Sequence, residues 1–113
     1  MDYLDLASGG DTAMISEVIN MFRQQSLEIY NEMRSNLSGK NYKSLGLLAH
    51  KAKSSVAIMG MNDLALMLKT FELQAKEGKE SQLYESYVAR FRSDTEEAVK
   101  ELEDLINNRL NKN

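Results

Sequence analysis

Few residues in this chain can do chemistry, and their types narrow the choice. The single histidine, His50, is the one side chain offering a ring nitrogen as nucleophile or proton carrier. Cysteine is absent, which excludes thiol catalysis, disulfides and zinc–thiolate sites. One histidine also excludes every multi-histidine metal site, and no metal ligand set is expected. His50 stands in the run Leu47-Leu48-Ala49-His50-Lys51-Ala52-Lys53-Ser54-Ser55. On a helix its neighbours are the residues three and four away: Gly46, Leu47, Lys53 and Ser54, with Ala57 one turn further. Glycine inside a helix costs about 1 kcal/mol relative to alanine, so Gly46 works against local stability. With Ser54 and Ala57 it is expected to clear bulk from around the imidazole, while Lys53 sets a cation beside it. An uncrowded imidazole with an ammonium one turn away suits a transient phosphoryl group. The ring nitrogen attacks, and the lysine offsets the charge that arrives with the phosphoryl oxygens. The bland alternative is a solvated surface histidine.

The elements that must hold this constellation are helical. Proline is absent and glycine numbers 6, so little interrupts a helix. Gly9-Gly10 precedes Asp11, a good N-cap for a first helix with a stripe from Ile15, Ile19 and Phe22 to Met33 and Leu37, widened by Val18 and Met21. Gly39 is placed to close it as the left-handed residue. Asn41 is expected to cap a second helix with the stripe Leu45, Leu48, Ala52, Val56 and Met59, closed by Gly60. His50 lies about 150° from the centre of that stripe, so it points away from the core. Asn62 is expected to cap a third helix bearing Leu64, Leu68, Phe71 and Ala75, closed by Gly78. A fourth carries Tyr84, Val88, Phe91, Thr95, Ala98, Leu102 and Leu105 as an unbroken seam. Short loops imply antiparallel neighbours. The expectation is an all-α, antiparallel up-down-up-down four-helix bundle, one domain over 1–113, with a short extra helix at residues 3–7 and a fraying tail over 107–113.

Composition agrees. The chain has 113 residues, 42% hydrophobic and 27% charged, enough for one modest core under a polar surface. A formal charge of −3 argues against nucleic acid as a partner. No apolar run approaches the roughly 20 residues that span a bilayer, and the acidic start Met1-Asp2-Tyr3-Leu4-Asp5 lacks the cationic opening of a signal peptide. A cytoplasmic protein without a membrane contact is expected.

Ala49-His50-Lys51-Ala52-Lys53-Ser54-Ser55, Gly60 ten residues after the histidine, and the helix running from Leu64 to Phe71-Glu72 resemble the histidine-containing phosphotransfer (HPt) domain. The likeness extends to the Gly9-Gly10-Asp11 opening and to Phe22, and so covers nearly the whole chain. It implies that His50 carries the phosphoryl group on Nε2 and that Lys53 stabilises it. Ser54 stands where most members have glycine, a departure that should still admit a partner. Glu72 falls where members place a carboxylate or amide that bonds the other ring nitrogen. By spacing alone, Glu72 with Lys69 and Lys76 reads more simply as a surface salt-bridge ladder. Beside His50, an orienting role for it is equally open. The implied function is a phosphorelay intermediate, a stoichiometric carrier and not an enzyme. It would take the phosphoryl group from one receiver domain's aspartyl phosphate and pass it to another, or work with a hybrid sensor histidine kinase. There is no Gly-rich phosphate loop, so no ATP site and no cofactor of its own are expected, Mg²⁺ being supplied by the receiver. Gly46, Leu47, Ser54 and Ala57 with the cations Lys43 and Lys51 form the expected docking face, and the carrier is expected to be a monomer. The rival readings are a helical adaptor without chemistry and the phospho-accepting module of a larger histidine kinase. Met14, Met21, Met33 and Met59 read as core filling, and Met61, Leu66, Met67 and Leu73 as a partly exposed patch. The acidic run from Glu96 to Asp104 reads as a solvated face.

Overall fold

The computed structural model describes residues 12–111, all helical apart from short connections. Helix α1 spans Thr12–Ser38, α2 Tyr42–Ile58, α3 Asn62–Glu77 and α4 Tyr84–Asn111, with a 3₁₀ turn at Ser81–Leu83 before α4. Among the described residues there is no strand, and no helix is long and apolar enough to cross a membrane. The expected caps at Asp11 and the extra turn at 3–7 lie outside the described residues. α1 packs along α4 and α2 along α3, so two helix pairs enclose one core. Ile19, Ile29, Met33, Leu45, Val56, Leu68, Phe71, Tyr84, Val88 and Phe91 lie at its centre.

The connections show how the helices end. Gly60 and Gly78 have φ of 78° and 67°, the left-handed conformation that glycine adopts without a Cβ penalty. Each closes its helix with the paired bonds of a Schellman turn, as in Gly78 N–H to Ala75 and Lys79 N–H to Gln74. The end of α1 departs from expectation. Gly39 still bonds back to Ser35 in helical fashion, so the left-handed turn falls one residue later, on Lys40 with φ 56°. Asn41 and Asn62 also differ from their expected roles. The Asn41 side chain makes no capping bond, and only its carbonyl accepts, from Leu45 N–H. Asn62 is already inside α3, with Met61 at the cap position.

Two core assignments shift. Met21 is 69% exposed, not part of the α1 stripe. In α4 the seam runs Thr95, Val99, Leu102, Ile106, leaving Leu105 at 48% exposure. A straight helix drifts by about 20° per heptad against a strict 3.5 repeat, so by the third heptad the buried line has moved onto the next residue. The last helix also continues to Asn111, through part of the expected tail. Of the expected partly exposed patch, Leu66 and Leu73 are exposed and Met61, at the cap of α3, is half-buried, whereas Met67 is buried in the core.

Candidate functional site

The site is built across the α2–α3 pair. Ala49 and Ala52 are both buried on α2, and small side chains there let α3 come close. Gly46 marks the tightest approach. A Cβ at that position would stand 3.1 Å from Lys76 Cγ and 3.3 Å from both Glu72 O and Lys76 N. Its absence of side chain therefore serves helix–helix packing and not, as expected from the sequence, access to the imidazole; Gly46 is buried and presents nothing to a partner. Gly46→Ala is expected to lower stability by about 1 kcal/mol, because overpacking against backbone outweighs the gain in helix propensity. Thermal melts check this, and a rise in Tm would show that the helices separate freely.

The close approach brings Glu72 of α3 under His50 of α2. His50 is 58% exposed at its side chain, as expected from its angle to the core stripe, whereas Glu72 is only 8% exposed. Glu72 is thus buried, further inside than a surface salt-bridge ladder would place it. Its carboxylate gathers three donors. His50 Nδ1 lies 3.0 Å from Oε2, Lys76 Nζ 2.8 Å from the same oxygen, and Lys53 Nζ 3.2 Å from Oε1. The Lys76 ammonium, aided by the His50 and Lys53 bonds, holds the carboxyl at about 2 against the opposing effect of burial. An ionised carboxylate only accepts, so Nδ1 is the protonated nitrogen facing it. In the neutral ring the lone pair then sits on Nε2, on the other side of the imidazole from Glu72. Of the two expected ladder lysines, Lys76 and not Lys69 makes the contact.

The depressed Glu72 value gives stability a pH dependence of definite sign. Unfolded, the group takes up its proton near its ordinary value of 4.5, and folded only near 2. The stabilisation it contributes is complete above the unfolded value, declines as pH falls through that window, and is gone below the folded value. The wild type is expected to exceed Glu72→Gln by about 2 kcal/mol at neutral pH. That is the scale of one hydrogen bond to a charged group, the sum of three being screened at half-exposed donors. Denaturant melts of both proteins from pH 7 to 2 should show the gap closing; a pH-independent gap would contradict it.

Around His50 the surface is open and mixed. Leu47, Ser54, Ala57, Lys43 and Lys51 are all exposed, as expected for a docking face. Two further apolar side chains lie exposed beside them, which spacing did not indicate. A groove between α1 and α2 beside His50 is lined by Met21, Gln25, Ser54 and Ile58 among others, and both Met21 and Ile58 are largely exposed. Met21 sits about 100° from its neighbour Phe22, the only local signal that it points elsewhere than the core. Lys53 does not stand free beside the imidazole but is engaged with Glu72.

No significant match was found among curated proteins or among solved structures. A family model does match, that of the Hpt domain, over residues 17–111, which takes in all of α2 and α3 and the His50–Glu72–Lys53–Lys76 cluster. With an exposed histidine anchored on a buried glutamate between two of the four α-helices of the described residues, and that match over most of its length, the chain belongs to the Hpt domain family, the phosphotransfer modules of two-component signalling.

Proposed function

We propose that His50 is the phospho-acceptor of a phosphorelay intermediate. The observation that carries this reading is the bond from Nδ1 to Glu72, which leaves Nε2 as the nucleophile on an exposed ring. The Nε2 lone pair attacks the phosphorus of a receiver's aspartyl phosphate. The N–P bond forms as the P–O bond to the aspartate breaks, and the carboxylate leaves with the electron pair. The ring proton stays on Nδ1, where Glu72 balances the positive charge that develops. Passing the group to a second receiver is the same step reversed. This chain contributes a positioned nucleophile and nearby cations; the receiver contributes the acyl phosphate and Mg²⁺, with no cofactor bound here.

The docking face comprises Leu47, Ser54 and Ala57 with Lys43 and Lys51, joined by Met21 and Ile58. Apolar side chains around the histidine give contact area, and the lysines suit the acidic surroundings of a receiver's aspartate. The helices form one up-down-up-down bundle. In support, Arg34 meets Glu85 at 3.0 Å and Arg23 approaches Glu103 at 3.8 Å, so positions fall along α1 as they rise along α4. The carrier works as a cytoplasmic monomer.

Incubation with receivers charged by acetyl phosphate tests the reading. Label should appear at position 50 with the acid lability and base stability of a phosphoramidate; its absence there with every receiver tried would overturn it. Ser54→Arg, which puts a long side chain beside the ring, is expected to slow acceptance at least about tenfold by obstructing docking. An unchanged rate would remove Ser54 from the face.

A further inference from the structure

Two ammonium groups share the Glu72 carboxylate, and their positions give them different work. Lys53 comes from the same helix as His50, three residues on, and holds Oε1 at 3.2 Å. Lys76 comes from the same helix as Glu72 and holds Oε2 at 2.8 Å, the oxygen that also accepts from His50 Nδ1. One carboxylate against two lysines leaves the cluster with an excess positive charge before any ligand arrives. Lys53 is therefore free to leave: it rides on the histidine's own helix and can turn toward oxygens attached to Nε2. Lys76 is held differently: it starts from α3, and its stem lies against Gly46, where a methyl group would meet Lys76 Cγ at 3.1 Å.

We propose that Lys76 is the resident counter-ion of Glu72, a positioning residue that keeps the carboxylate aimed at Nδ1 while Lys53 moves to the phosphoryl oxygens. This rests on His50 being the phospho-acceptor. A buried carboxylate stripped of one donor must keep another or lose its ionised form. Without Lys76, Lys53 faces two demands at once. If it stays on Glu72 the phosphoryl group lacks its cation, and if it leaves, the His50 tautomer loses its support. Gly46 belongs to the same device, as the gap through which the Lys76 stem reaches Glu72.

The test compares Lys76→Met, which keeps the stem and removes the charge, with Lys76→Arg and Lys53→Met. Two quantities are read: the Nδ1–H against Nε2–H tautomer ratio of ¹⁵N-labelled His50 in the neutral ring, and the rate of acceptance from a saturating charged receiver. Lys76→Met is expected to give a mixed tautomer population and acceptance slower by about tenfold or more, with half-saturation by receiver unchanged. Lys76→Arg should restore the Nδ1–H form and most of the rate. Lys53→Met should slow acceptance while leaving the tautomer as in the wild type. Lys76→Met with the wild-type tautomer and rate overturns the proposal, as does a Lys53→Met protein that loses the tautomer instead. If Lys76→Met does not fold, Lys76→Gln takes its place: a mixed tautomer population with slowed acceptance supports the proposal, and wild-type values of both overturn it. Should the wild type take no label on His50, the acceptor reading fails, whereas the tautomer ratio still decides whether Lys76 positions Glu72.

Discussion

His50→Gln is expected to take up no phosphoryl group from a charged receiver, while melting close to the wild-type temperature. Glutamine has no lone pair of imidazole character at this place, so labelling should fall to background, whatever the receiver. Stability should change by less than about 1 kcal/mol, the range of exposed substitutions. The reason is specific to this site. The lost side chain is more than half exposed, and Glu72 beneath it retains both Lys76 and Lys53. A glutamine amide at position 50 can also donate to the carboxylate. Phosphoryl incorporation and thermal melting, measured on the same preparation, check both halves. Persistent label in His50→Gln would move the acceptor elsewhere in the chain; a collapsed melt would make His50 a structural residue.

Phe71→Ala gives the opposite pattern. Phe71 is fully buried on α3, with its ring centroid 5.4 Å from that of Tyr84 and 5.0 Å from that of Tyr87 on α4. Truncation removes its burial, leaves a cavity and breaks two aromatic contacts, for a loss of about 3–5 kcal/mol. In a domain this size that lowers Tm by roughly 10–20 °C. Tyr84 is anchored independently, its hydroxyl donating to the Gln74 and Lys79 carbonyls, so the cavity cannot close by a simple shift of that ring. Chemical denaturation measures the loss, and labelling of His50 should persist at temperatures where the variant is folded. A loss under 1 kcal/mol would show that α3 and α4 slide together to fill the space.

Much of this was legible from spacing. Leu64, Leu68, Phe71 and Ala75 repeat at three and four and are all buried, and Gly60 and Gly78 end their helices where expected. His50 faces outward as its angle to the α2 stripe requires. The misses have two causes. Met21 and Gly46 lie where the outcome depends on how a second helix passes, and a single-helix projection holds no information on that. Leu105 gave way to Ile106 because small angular drift accumulates over three heptads.

Helix content, the glycine ends of α2 and α3, the outward histidine and the cation three residues after it follow from local rules, since periodicity and turn chemistry act within one turn or two. The burial of Glu72, the choice of Lys76 over Lys69, and the engagement of Lys53 do not. They arise where α2 and α3 meet over Gly46, and contacts between residues some twenty positions apart are set by packing rather than by neighbours in the chain.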